Sequence, residues 1–177
     1  PSLLGEMILG CALTETGAGS DAGGRETTAG ADEEDFIHSG RTDFISFAPN
    51  ADATLVLAKT DPDQVTRGIS AFLVYMDTPG VSRGAQEHKM GIRGCPVGDI
   101  VLEDVRLPKT QLVGKLNQGY TTAMKTLDLG RVGVSAQGLG IAQAALDAAI
   151  AYAKERKQFG RPIAKHQAIA FYLAEMN

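Results

Sequence analysis

CALTETGAGSDAGG, residues 11–24, packs Thr14, Glu15, Ser20 and Asp21 among Gly17, Gly19, Gly23 and Gly24, directly after an apolar run. Glycines at that density let the backbone approach a second body closely and leave its N–H groups free to point inward. The stretch reads as a ligand-facing loop, and its flanks tell what holds it. As far as residue 112, short apolar runs alternate with turn chemistry. MILGCAL, DFIHSG, TLVLAK, ISAFLVY and GDIVLEDVRL are separated by clusters such as APNAD, TDPDQ and DTPG. Short strands at this spacing predict a barrel or a sandwich.

From about Gly119 the period changes. The stretch from Tyr120 to Lys157 holds no proline, is rich in Ala, Leu and Met, and carries Tyr120, Met124, Leu127, Val134, Ile141, Leu146 and Ile150 as apolar positions. It predicts one long helix. Gly130, Gly133, Gly138 and Gly140 would each cost about 1 kcal/mol relative to alanine on an exposed helix, so close packing against other helices is expected there. A break at FGRP follows, and Pro162 suits the first turn of a second helix through IAKHQAIAFYLAEMN. Two helices, one apolar nearly all round, cannot cover each other, so further helices or a partner are expected. The fold class is α+β, with a β domain at 1–115 and the first helices of an all-α domain at 116–177.

Composition excludes several functions. The 177 residues are 44% apolar and 21% charged, with 17 basic and 21 acidic side chains and a formal charge of −4. The basic residues are scattered except near Lys154 to Lys157, which argues against a nucleic-acid binder. No window approaches the roughly 18 unbroken apolar residues of a membrane span, and nothing reads as a signal peptide. Cys11 and Cys95 lack CxxC spacing, which suits free thiols in a cytosolic setting. His38, His88 and His166 form no HxxxH or HExxH pattern, so no metal site is expected.

ALTETGAGSDAGG resembles the signature of the acyl-CoA dehydrogenase family, met here by Ala12, Leu13, Thr14, Glu15, Gly19, Ser20, Asp21 and Gly24. The resemblance continues in order through RGISAFLVYMDTPGV, HKMGIRG and VLEDVRLPKTQLVG into the helical half. It implies a flavoenzyme built of helical, β-barrel and helical domains, of which this chain would supply the antiparallel barrel and the start of a C-terminal domain of four-helix-bundle type. It further implies FAD as cofactor, an acyl-CoA substrate, an electron-transferring flavoprotein as partner, and a homo-oligomer, dimer or tetramer. The implied location is the cytoplasm, or the mitochondrial matrix in a eukaryote. The chemistry is removal of an α-proton and of a β-hydride that goes to flavin N5, with hydrogen bonds polarising the thioester carbonyl.

The family pattern assigns roles position by position. Leu13, Thr14, Gly19 and Ser20 would line the flavin, Ser20 also lying near the acyl-CoA. DFISF stands where the family usually has Trp-Ile-Thr, so Phe44 would pack on the isoalloxazine ring and the Ser46 hydroxyl would reach N5. Further departures are Thr16 for the usual proline, Cys11 for an aromatic and Phe47 for asparagine. Thr60, Asp128 and Arg131 match positions that meet CoA. Arg156, Phe159 and Gln167 match residues that reach the FAD of a neighbouring subunit, a guanidinium being well suited to a pyrophosphate. No catalytic residue is expected in this chain. Most of the family carries the base in later helices, and a minority carries it where Gly130 stands. Glu15 and Asp21 are expected to hold the loop, and His166 to act as a structural hydrogen-bonding group. The same scaffold hosts enoyl-CoA reduction, nitroalkane oxidation and hydroxylation, and an inactive scaffold is a further alternative.

Overall fold

The computed structural model describes residues 2–177. They form two compact units, one ending at Met124 and the other Lys125–Asn177.

In the first unit the strands are β1 (Leu9–Ala12), β2 (Thr28–Asp32), β3 (Asp35–Ser46), β4 (Ala53–Lys59), β5 (Ile69–Tyr75), β6 (Val81–Gln86), β7 (Val97–Pro108) and β8 (Leu112–Val113). They build one sheet of eight strands, ordered β6-β7-β3-β2-β4-β5-β8, with β1 joined to β4. The pairings β2/β3, β3/β7, β4/β5, β5/β8 and β6/β7 are antiparallel, while β4 receives both β1 and β2 in parallel. Among the described residues no pairing joins β6 to β8. The sheet is therefore mixed and its hydrogen-bonded path is open-ended, where a closed antiparallel barrel was expected.

The join at β4 shapes the loop. β1 pairs with Ala53 to Val56 and β2 with Lys59, so residues 13–27 leave the sheet and return along one edge of a single strand. Leu57 lies in the gap between them. TLVLAK reads as an unbroken apolar run because β4 is covered on both faces. Val56 and Ala58 join the main core with Phe36, Ile45, Phe72, Val74, Ile100, Val105 and Leu107. Leu57 faces a smaller cluster with Ile69 and Ala71, packed by Leu13, Leu55, Tyr120 and Ala123. Gly119 is required where the helix begins, because a Cβ there would lie 2.4 Å from the Ser70 carbonyl carbon.

His38 is the unusual core residue. It is fully buried and meets the Phe72 ring edge-on at 4.4 Å between centroids. Neither ring nitrogen has a hydrogen-bond partner.

The helix α1 runs Gly119–Glu155 and passes into the second unit. In that unit β9 (Lys157–Gln158) and β10 (Arg161–Pro162) form a hairpin, and α2 spans Gln167–Glu175. Pro162 thus belongs to a strand, and the second helix starts later than its proline suggested. Phe159 (φ +52°) and Gly160 (φ +76°) form the two-residue turn, the combination that matches the twist of a tight hairpin. Among the described residues nothing packs against Gly130, Gly133, Gly138 or Gly140, and a Cβ at any of them would meet open space. Leu129, Val132 and Leu139 on the same helix are 71–79% exposed. Leu146 and Ala153 are its buried positions in this unit.

Candidate functional site

The glycine-rich loop is built from the inside by two buried charges. Glu15 is buried and its carboxylate accepts the N–H groups of Glu26 and Thr27. Its backbone exchanges hydrogen bonds with Ala18 at 3.0 and 3.2 Å, closing the tight turn over Thr16 and Gly17. Arg25 is fully buried, and its guanidinium donates only to backbone carbonyls: those of Ala22, Leu57 and Leu13. Burial lowers the Arg25 pKa, and the Glu15 charge works against that shift. Glu15 is therefore a loop-holding carboxylate, as its setting in the sequence suggested. Arg25 escaped sequence reasoning, since an arginine after two glycines carries no sign of being buried.

The loop is tied to the far end of β3. The Asp43 N–H donates to the Thr14 carbonyl at 2.9 Å, and the Thr16 hydroxyl donates to the Asp43 carboxylate. Arg41 bridges Asp43 and Asp99 at 2.9 and 2.7 Å. Burial alone would raise the Asp43 pKa, but the hydrogen bonds from Thr16 and Arg41 and the Arg41 charge outweigh it and hold the carboxyl below its ordinary range. Beside this anchor the β3/β7 register slips between Thr42 and Ile45. Phe44 stands in that irregularity at φ +58°, with 62% of its surface exposed. A left-handed backbone is uncommon for a bulky residue, and an exposed ring gains little packing there.

Thr14 is thus tied, through Asp43, to the end of β3 that carries Phe44 and Ser46, while the neighbouring Leu13 packs on the smaller core cluster. The Ser46 carbonyl lies 3.4 Å from where a Gly10 Cβ would be. Gly19 and Ser20 lie exposed farther along the same loop. Among the described residues no hydrogen bond uses the hydroxyls of Thr14, Ser20 or Ser46, or the N–H groups of Gly19 and Ser20. Free donors along the loop and at the end of β3, with an exposed aromatic ring at that end, suit a large planar polar cofactor with hydrogen-bonding edges. Thr60 differs: its hydroxyl is engaged with the Gly68 carbonyl, the Ser70 hydroxyl at 2.7 Å and the Asn117 side-chain oxygen at 2.6 Å.

In the second unit Asp128 and Arg131 stand one turn apart on α1, exposed and, among the described residues, outside any ion pair. Arg156 follows the end of α1 with its guanidinium unpartnered among the described residues, while its carbonyl accepts the Ile163 N–H at 2.8 Å. Phe159 is 94% exposed at the hairpin turn, edge-on to His166 at 5.8 Å. His166 lies between Arg161, which reaches Nδ1 at 3.4 Å, and the Gln158 carbonyl, which faces Nε2 at 3.2 Å. Arginine can only donate, so Nδ1 is the acceptor and Nε2 carries the proton. His166 is a structural hydrogen-bonding group, and Gln167 is exposed at the start of α2. Among the described residues no group of three His, Cys, Asp or Glu side chains could hold a metal ion, and no helix is long and apolar enough to cross a membrane.

Family models match two consecutive stretches: the acyl-CoA dehydrogenase middle domain at residues 10–105 and the acyl-CoA dehydrogenase C-terminal domain at residues 117–177. The chain belongs to the acyl-CoA dehydrogenase family. Its relatives include the caffeyl-CoA reductase-Etf complex subunit CarC of Acetobacterium woodii, 54% identical over 99% of this chain and 46% of that protein. The 3-(aryl)acrylate reductase of Clostridium sporogenes is 55% identical over 99% and 47%. The mitochondrial short-chain specific acyl-CoA dehydrogenase of Bos taurus is 50% identical over 99% and 43%. Among solved structures, butyryl-CoA dehydrogenase from Megasphaera elsdenii superposes with a TM-score of 0.93 at 42% identity, over 97% of this chain and 45% of that one. An FAD-dependent dehydrogenase superposes at 0.91 with 29% identity, over 96% and 46%. The chain spans less than half the length of each of these proteins. The α+β class and the family resemblance read from the sequence therefore hold.

Proposed function

We propose that this chain carries the flavin-facing surface of an FAD-dependent oxidoreductase that removes an α-proton and a β-hydride from an acyl-CoA thioester, yielding a trans-2-enoyl-CoA. The observation that carries this reading is the meeting of the braced loop, with the unpaired Thr14 hydroxyl, and the end of β3, with the Phe44 ring and the unpaired Ser46 hydroxyl. Bound FAD supplies the hydride acceptor. Leu13, Thr14, Gly19 and Ser20 line it, Phe44 offers a ring face, and the Ser46 hydroxyl donates to its edge. The unpaired N–H groups of Gly19 and Ser20 would supply donors to its polar edge, and donors held by the fold contribute most when they need no reorganisation. Ser20 also meets the acyl-CoA. Asp128 and Arg131 bind the CoA portion, and Thr60 contributes to it through the order it gives the adjoining loop. In a homo-oligomer, Arg156, Phe159 and Gln167 reach the FAD of a neighbouring copy. Their support is a guanidinium unpartnered among the described residues and a nearly fully exposed ring.

The barrel-like middle domain is assigned to residues 1–115 and the C-terminal helical domain to 116–177. No base is assigned within this chain. Glu15 is committed to two backbone N–H groups, and Gly130 has no side chain to accept a proton.

A second reading runs the same chemistry in reverse, reducing the double bond of an enoyl-CoA. Two relatives above 50% identity named as reductases favour it, and both directions exchange electrons with an electron-transferring flavoprotein. The test is an FAD titration of the protein by flavin fluorescence, with Thr14→Val and Ser46→Ala beside the wild type. Saturable uptake weakened about tenfold in the double variant, roughly 1.4 kcal/mol, is expected. Equal uptake by both proteins would refute the assigned hydroxyl roles.

A further inference from the structure

We infer that Arg25 is a positioning residue of this site: its guanidinium fills the place of a missing strand beside β4 and sets the shape in which residues 13–22 meet their ligand. The inference rests on the flavin reading above for its ligand, but its geometry is independent of it.

Along the β4 edge that receives β1 and β2, the odd-numbered residues turn their backbone groups outward. Ala53 takes the Ile8 carbonyl and Lys59 takes the Thr27 carbonyl. Between them Leu57 faces the gap that opens when the chain leaves β1 at Ala12 and rejoins at Thr28. An unpaired buried carbonyl there would carry the desolvation penalty of a lost hydrogen bond. Arg25 Nη1 donates to that Leu57 carbonyl at 2.9 Å. The other arms of the same fork reach the Ala22 carbonyl, from Nη2 at 3.0 Å and Nε at 3.2 Å, and the Leu13 carbonyl at 3.4 Å. One side chain therefore joins the first residue of the loop, its far side and the strand beneath.

Only a planar guanidinium can do this. A lysine offers three donors from a single point and cannot span carbonyls on three segments. The side chain is fully buried, so water does not take over its bonds. Among the described residues its charge is met by no salt bridge, and Glu15, whose own oxygens hold Glu26 and Thr27, is the carboxylate whose charge acts on it. Two opposite charges thus brace the loop by gripping its backbone rather than each other. What remains outside the grip is Thr14, Gly19 and Ser20, the groups left free for a ligand. A loop held in this way binds without first being ordered, and loss of the brace falls on affinity.

The experiment compares wild-type holoprotein with Arg25→Lys, Arg25→Met and Arg25→Ala. FAD affinity is read by fluorescence titration, folding by circular dichroism, and the loop by hydrogen-exchange mass spectrometry of peptides covering residues 13–24. Expected are faster exchange in that stretch for all three variants, FAD affinity weakened about tenfold or more, no rescue by lysine, and partial recovery of Arg25→Ala by low millimolar guanidinium. Unchanged exchange in residues 13–24 in a folded Arg25→Lys protein would overturn the inference, as would Arg25→Met affinity within about twofold of wild type. If Arg25→Met does not fold, Arg25→Lys decides. Failure of the wild type to take up FAD would count against the proposed function alone, because exchange reads the brace without any flavin.

Discussion

Replacing His38 with leucine removes a titratable group from the middle of the core without breaking a hydrogen bond. The imidazole is fully buried beside Phe72, and both of its nitrogens lack partners. Burial lowers its pKa from 6.5 to about 4. A group whose folded pKa is depressed adds stability above its unfolded pKa and loses it as pH falls toward the folded value. Here the unfolded chain binds a proton near 6.5 while the folded protein refuses it until about 4. At about 1.4 kcal/mol per pH unit, that gap makes the protein about 3 kcal/mol less stable at pH 4 than at pH 8, with roughly 2 kcal/mol already gone at pH 5. His38→Leu conserves volume to within a methylene or so, and such swaps cost less than about 1.5 kcal/mol. Relief of two unpaired nitrogens works in the other direction. The variant should therefore match wild type at pH 8 to within about 1 kcal/mol, and exceed it by roughly 2 kcal/mol at pH 5. Urea unfolding followed by circular dichroism at both pH values measures the difference, and the other titrating groups cancel between the two proteins. An identical pH dependence in wild type and variant would refute the reasoning, as would a loss above about 3 kcal/mol at pH 8.

Two further outcomes follow from backbone geometry. Phe44→Asn places a residue that tolerates the left-handed region at φ +58°, so thermal stability should stay level or rise by up to about 1 kcal/mol. FAD affinity of the same variant should fall about tenfold, and a variant that loses stability while keeping affinity would contradict the assignment of the ring. Gly119→Ala forces a Cβ to within 2.4 Å of the Ser70 carbonyl carbon. It should destabilise the first unit by roughly 2–4 kcal/mol in urea melts, and a change below about 0.5 kcal/mol would show that the helix start yields easily.

Legibility in the sequence followed how far each signal is local. TLVLAK and ISAFLVY announced themselves because β4 and β5 carry largely apolar stretches between turn residues, with Phe72 and Tyr75 adding aromatic character in β5. TAGAD and VSRGAQ gave no such signal. β2 is made of small and polar residues, and β6 is exposed along nearly its whole length, so neither alternates between apolar and polar. α1 was plain from composition and the absence of proline, whereas the start of α2 was displaced. Pro162 fits a helix start, and the left-handed Phe159–Gly160 turn that makes it part of a hairpin is not a property of residue type. Within the site the hydroxyls were legible through the family pattern. The Arg25 brace was not, because it depends on which β4 carbonyl is left unpaired once β1 and β2 have docked. Phe44 was legible as an aromatic, but its backbone conformation depends on a register slip between β3 and β7.

The central claim is that this surface belongs to a flavoenzyme acting across the Cα–Cβ bond of a CoA thioester. Its most direct test is anaerobic mixing of the FAD-loaded protein with a saturated short-chain acyl-CoA while visible flavin absorption is followed. Saturable bleaching by the acyl-CoA, reversed by excess of the corresponding enoyl-CoA, is the predicted result. A protein that takes up no FAD, or whose bound flavin keeps its oxidised spectrum with every acyl-CoA offered and is not reoxidised by any enoyl-CoA once reduced, would contradict it.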